Sequence, residues 1–272
     1  MSEAVNENPQ FDAEIDTQYD VAHWSLRETP IPTCVEILNT GSDNFRTAHG
    51  NLVQNVRYGD GPKQSMDIVR KPGVSDDAPI MVFVHGGYWI LTGRDMYLHI
   101  AQPAVTRGWM GVIVGYDQAP DVTVTTIVNE IRDAYIFLSK RFPKCPNLTF
   151  IGHSAGGHLI SMLLATDWES YCPTQYKDLV PITKSVPISG VMDLGPFVHI
   201  SYNKDLQLTK KEIVDLSPAL HIDKAVKNIK KFGTKIIAVV GENDPPKFCE
   251  QSRDYIKVQL NISVPWRYCY HN

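Results

Sequence analysis

The sequence predicts an α/β fold, a mostly parallel central sheet with helices on both faces, and three observations predict it. Five short runs, at 80–84, 110–116, 148–151, 186–188 and 236–240, are largely apolar, the pattern of strands buried on both sides. Helical periodicity falls between them, clearest where Ile127, Ile131, Ala134, Leu138 and Phe142 recur every three or four residues and share one face. With 43% hydrophobic and 21% charged positions, 272 residues can bury one large core. Strands alternating with helices place reactive groups in the crevice beyond the strands' carboxyl ends.

Residues 1–50 are polar and acidic, and are expected to form a mobile tip followed by an arm on the main domain, anchored by Trp24 and Leu26. Residues 51–272 form that domain. It opens with strands at 54–58 and 65–69 around the turn Gly59-Asp60-Gly61, and ends with a strand-like stretch at 264–270. The stretch 194–217 is polar, has no buried-strand run, and is expected to be a lid-like insertion over the crevice.

Composition excludes several partners. A net charge of -4, with 26 Lys and Arg scattered among 30 acids, provides no basic stripe for nucleic acid. The first twenty residues hold six acids and no Lys or Arg, unlike a secretory or mitochondrial leader. No run approaches the roughly 20 apolar residues that span a bilayer, so the expectation is a cytoplasmic protein without a membrane partner. Five cysteines, at 34, 145, 172, 249 and 269, lack a CxxC pair and fit reduced thiols. No HExxH, GxGxxG or P-loop occurs, and no metal or organic cofactor is expected.

The chemistry centres on Gly152-His153-Ser154-Ala155-Gly156, a G-x-S-x-G pattern between a buried strand and an apolar helix. Such a turn forces the serine into a strained conformation that exposes its hydroxyl, and small neighbours are needed where the backbone doubles back. Otherwise Ser154 would be an ordinary helix cap. A serine nucleophile also needs a base, an orienting acid and donors for the developing oxyanion. His85-Gly86-Gly87-Tyr88-Trp89 follows the third strand, and its glycines can turn N–H groups of Gly86 and Gly87 toward Ser154, to act with that of Ala155. His85 itself reads as structural.

The acid expected after the seventh strand is Asp244 in Gly241-Glu242-Asn243-Asp244-Pro245-Pro246, unless it merely caps the next helix. Asp193 is the reserve, and Glu242 lies too near the strand end. In this class of hydrolase the order is nucleophile, acid, base, and His271 is the one histidine after Asp244. His153, His158, His199 and His221 would need an unusual order. Tyr88, Trp89, Tyr97, Tyr116 and Phe197 either line a pocket for a flat substrate or fill the core.

These residues resemble the kynurenine formamidase (arylformamidase) family, α/β-hydrolases related to hormone-sensitive lipase. The resemblance runs from Tyr19 to His271 through YDVAHWSLR at 19–27, HGGYW at 85–89, Tyr116-Asp117 with Pro120, GHSAGGHL at 152–159, SGVMDL at 189–194, Leu216-Ser217-Pro218 and GENDPP at 241–246. HGGYW discriminates most, since general esterases of the superfamily usually carry a third glycine where Tyr88 stands. The resemblance implies Ser154 as nucleophile, Asp244 as acid, His271 as base, and Gly86, Gly87 and Ala155 as the oxyanion hole. It also implies N-formyl-L-kynurenine as the small-molecule substrate, in tryptophan catabolism. A homodimer and a nuclear as well as cytoplasmic location are compatible with it. Tyr88 and Trp89 would narrow the acyl side of the substrate pocket. Relatives continue past this histidine into a closing helix, whereas only Asn272 follows here, so the expected fold lacks its C-terminal helix. The rival readings are a short-chain carboxylesterase and a catalytically silent, truncated hydrolase-like protein.

Overall fold

A computed structural model describes residues 10–260 and 266–271, with side chains through residue 257. Its eight strands are β1 (Val53–Arg57), β2 (Ser65–Val69), β3 (Ile80–Val84), β4 (Met110–Val114), β5 (Leu148–His153), β6 (Ile182–Ile188), β7 (Lys235–Gly241) and β8 (Trp266–His271). They form one sheet in the order β1-β2-β4-β3-β5-β6-β7-β8. β2 runs antiparallel to both β1 and β4, and every other pairing is parallel. The mostly parallel sheet is therefore as the apolar runs predict.

The described helices are α1 (Ala13–Tyr19), α2 (Pro30–His49), α3 (Gln102–Thr106), α4 (Val124–Arg141), α5 (Ala155–Leu164), α6 (Trp168–Tyr171), α7 (Asn203–Leu206), α8 (Lys210–Leu216), α9 (Ile222–Phe232) and α10 (Pro246–Leu260). Successive residues of the central strands feed opposite faces. Ile80, Val82 and Val84 of β3 join a core containing α4, α5 and α9 residues, while Phe83 joins a second cluster with Phe45 of α2, Tyr97 and Leu98. On the larger face Ile127, Ile131, Ala134 and Leu138 of α4, with Phe142 beyond it, are all buried. Each large apolar side chain hidden this way contributes about 1.5–3 kcal/mol. None of these helices is long and apolar enough to cross a membrane.

Two expectations need correction. Trp24 and Leu26 do not anchor the arm, for Leu26 is 84% exposed and Trp24 sits at the surface. Tyr19 and Phe45 are buried instead, Tyr19 between the rings of Phe197 and Phe248. β6 is also longer than the run at 186–188 suggests, because its first half carries the polar Thr183, Lys184 and Ser185 rather than being apolar throughout. The expected tip overlaps residues 1–9, which lie outside the described residues.

β3 is flanked by β4 on one side and β5 on the other, so the chain reverses its direction of travel across the sheet there. The connections that follow β3 and β5 therefore lead to opposite sides of the sheet, and beyond the carboxyl ends of these two strands is where this class of sheet carries its site. Residues 85–89 and Ser154 lie at those two ends.

Candidate active site

Ser154 stands between β5 and α5 with φ 53° and ψ -117°, a left-handed conformation that costs a non-glycine residue about 1–3 kcal/mol. The surrounding glycines are sterically required. A Cβ on Gly152 would lie 2.2 Å from the Gly156 carbonyl oxygen, and one on Gly156 would lie 2.0 Å from that of Val84. The Ser154 N–H donates to Ile188 O at 2.8 Å and its carbonyl accepts from His158 N at 3.1 Å. Its hydroxyl makes no helix-capping bond. That disposes of the ordinary-cap reading.

The loop after β3 comes directly against this turn. A Cβ on Gly86 would fall 3.0 Å from Ser154 Cβ and 2.8 Å from His153 O, so only glycine lets the backbone approach. Gly87 has φ 108°, and a side chain there would strike Leu91 O at 2.2 Å. Tyr88, Trp89 and Thr92 also have positive φ, a concentration of strain held by a hydrogen-bonded frame. Tyr116 Oη donates to His85 O at 2.9 Å and Thr92 Oγ1 to Gly86 O at 2.8 Å. His85 lies stacked between Tyr97 and Tyr116, and burial lowers its pKa from 6.5 to about 4. A neutral ring locked in this frame is structural, as read from sequence.

Asp244 precedes α10, yet its carboxylate caps nothing there. Its Oδ2 accepts from Gly241 N at 2.8 Å and from the Ser189 hydroxyl. Ser189 also ties the acid to the nucleophile turn: Ile188 O receives the Ser154 N–H, and the following Ser189 N donates to Val239 O at 2.7 Å. A Cβ on Gly157 would lie 2.7 Å from Gly190 Cα, which brings α5 against the same segment. The reserve acid Asp193 accepts from Gly195 N at 2.8 Å within its own turn. Glu242 is exposed.

His271 ends β8, and its backbone pairs with Gly241, the residue whose N–H holds Asp244. Its imidazole lies outside the described side chains. His153 is exposed at the end of β5, and its Nδ1 lies 3.0 Å from where a Cβ on Gly86 would stand. Surrounding protein lowers its pKa through desolvation, and the charge of Asp244 opposes that shift.

The two aromatic residues expected to line the pocket are turned inward. Tyr88 is buried, stacks on Tyr202 with centroids 4.0 Å apart, and donates to Tyr19 O at 2.8 Å. Trp89 has no exposed surface and packs edge-on against His158 and Phe197. Tyr97, Tyr116 and Phe197 are buried as well. Among the described residues, no three His, Cys, Asp or Glu side chains converge as metal ligands.

Sequence reasoning missed Ser189 and Gln251. Gln251 Oε1 accepts from Met192 N at 2.7 Å and Asp193 N at 3.0 Å, while its Nε2 donates to Asp193 O and Tyr19 Oη. The only signal for Ser189 was its place at the start of SGVMDL. Nothing local marks Gln251, since its partners lie far away in sequence.

Known proteins match this chain along most of its length. The BD-FAE family model matches residues 66–264. Kynurenine formamidases of Salmo salar and Danio rerio are each 30% identical to it over 247 residues, 90% of this chain and 81% and 82% of theirs. The chain belongs to the kynurenine formamidase family. The family's enzyme from Drosophila melanogaster is 33% identical over 216 residues, 77% of this chain and 69% of its own. Solved structures agree on the fold of this family member. A protein described as a thioesterase from a Silicibacter species superposes with TM-score 0.80 at 23% identity, covering 96% of this chain and 92% of that one. Esterase B of Lactobacillus rhamnosis gives TM-score 0.62 at 17% identity, covering 89% and 84%. The chain is thus a hydrolase with the α/β-hydrolase fold.

Proposed function

We propose that this protein hydrolyses N-formyl-L-kynurenine to formate and L-kynurenine, a step of tryptophan catabolism, with Ser154 as nucleophile, Asp244 as acid and His271 as base. One observation carries the chemistry: a hydroxyl that caps no helix N–H, on a strained turn, against a glycine loop with no room for a Cβ. The substrate comes from the relatives named kynurenine formamidase.

His271 takes the hydroxyl proton as Ser154 Oγ attacks the formyl carbon, and Asp244 stabilises the imidazolium. The N–H groups of Gly86, Gly87 and Ala155 receive the charge that develops on the formyl oxygen, each donor being worth roughly 3 kcal/mol. Collapse of the tetrahedral intermediate breaks the C–N bond as His271 protonates the aniline nitrogen. Water, deprotonated by the same imidazole, then releases formate from Ser154. The β8 register supports this assignment, because it brings the His271 backbone beside Gly241 and hence beside the residue that holds Asp244. Tyr88 and Trp89 act on the acyl side from beneath, by fixing the oxyanion loop.

The test is turnover of N-formylkynurenine by the full chain, with formate measured directly. Ser154→Ala should lower kcat by about 10⁴-fold or more, and a fluorophosphonate probe should label Ser154. His271→Ala should match Ser154→Ala, whereas His153→Ala should retain most of the rate; the reverse result would transfer the base to His153. Faster turnover of p-nitrophenyl butyrate than of the formamide would make the protein an esterase.

A further inference from the structure

We propose that Ser189 is a positioning residue for the acid, holding Asp244 Oδ2 so that Oδ1 stays turned toward the base. The inference rests on the Ser154–His271–Asp244 reading and adds to it a fourth residue.

Both described donors to Asp244, the Ser189 hydroxyl and Gly241 N–H, approach the same oxygen, Oδ2. A carboxylate has two oxygens with about four acceptor directions. Loading one of them with two donors fixes the plane of the group and leaves the other for an imidazole N–H. The Ser189 bond has a charged acceptor, and such bonds are shorter and roughly twice as strong as neutral ones. The Gly241 N–H alone would leave the carboxylate free to pivot about its last torsion.

The backbone at Ser189 points the same way. Its φ is 49°, a left-handed value where glycine would sit without strain. Gly190 follows immediately, so a glycine is one residue away from relieving the position, yet a hydroxyl stands there instead. The residue is buried and its N–H is pinned to Val239 O at 2.7 Å. Since Ile188 O holds the Ser154 N–H, one short segment sets both the nucleophile turn and the carboxylate. No proton transfer is assigned to Ser189.

The left-handed backbone makes a clean test available. Ser189→Gly removes the hydroxyl while relaxing the strain, so a purely structural role and a positioning role predict opposite outcomes. The experiment measures kcat and KM for N-formylkynurenine, per folded protein and well below the melting temperature, for Ser189→Gly, Ser189→Ala and Asp244→Asn. Expected is a melting temperature for Ser189→Gly equal to or above that of the parent, with kcat lowered roughly 10- to 100-fold and KM within about twofold, the size a charge-assisted hydrogen bond supports. Ser189→Ala, which keeps the Cβ, should show the same fall in kcat, and decides the matter if Ser189→Gly is less stable than the parent. If kcat of the deciding variant equals that of the parent while Asp244→Asn collapses, the Ser189 inference is overturned and the triad stands. If Asp244→Asn keeps the parental kcat, the triad reading itself has failed.

Discussion

Two buried histidines near the candidate site make the protein sensitive to acid. Desolvation lowers the pKa of both His85 and His158 from 6.5 to about 4. His158 bonds through Nε2 to Leu216 O at 2.7 Å, so the neutral ring carries its proton there. Between about pH 6.5 and 4 the unfolded chain binds protons at these sites that the folded chain does not. Their contribution is fully present above pH 6.5 and is lost as the pH falls toward 4, on the order of 3 kcal/mol for each. The urea midpoint should therefore fall steeply between pH 7 and pH 4.5, and His158→Gln should flatten that fall; an unchanged slope in the variant would contradict it. A second residue-scale outcome concerns Gly156→Ala. Its Cβ would meet Val84 O at 2.0 Å with only backbone to move, and unfolding should cost about 3 kcal/mol less than in the parent by denaturant titration.

At the scale of elements, what was legible depended on where each element finds its stabilisation. α4 was readable because its buried positions repeat along one face, and β3 because both its faces are covered. α7 and α8 were not, since they are short and are held by contacts outside themselves. α8 begins with a capping box, Thr209 accepting from Glu212 N at 3.1 Å while Glu212 Oε2 accepts from Thr209 N at 3.2 Å. Glu212 Oε1 then accepts from Thr125 Oγ1 at 2.9 Å, at the start of α4. This one buried carboxylate therefore starts one helix and ties it to another. Thr209→Ala should cost about 1 kcal/mol. Glu212→Ala should cost more, because the Thr125 tie is lost too, and hydrogen exchange should rise across 203–216 rather than across the sheet. Equal losses for the two variants would show that the tie to α4 contributes nothing.

Across the whole molecule, the arm is joined to the site by Gln251, which satisfies two N–H groups of the segment after Ser189 and reaches Tyr19 Oη at 2.7 Å, 232 positions away. Gln251→Leu leaves those N–H groups without an acceptor and should destabilise by about 2–3 kcal/mol. It should also lower kcat, since the disturbed segment carries Ser189; a variant that loses stability at unchanged kcat would separate the arm from the chemistry. The residues read correctly from sequence were those whose chemistry is local. Repulsion between a Cβ and the next turn demands glycine at 152 and 156, period-two and period-3.6 apolarity sets strands and helices, and these needed only near neighbours. The positions of Ser189, Gln251 and the inward-turned Tyr88 and Trp89 were decided by tertiary structure. Ser189 and Asp244 are 55 residues apart, and only the parallel order of β5, β6 and β7 brings their loops to one end of the sheet. A hydrogen bond acts over about 3 Å, so no pattern along the chain can announce a partner that folding alone delivers.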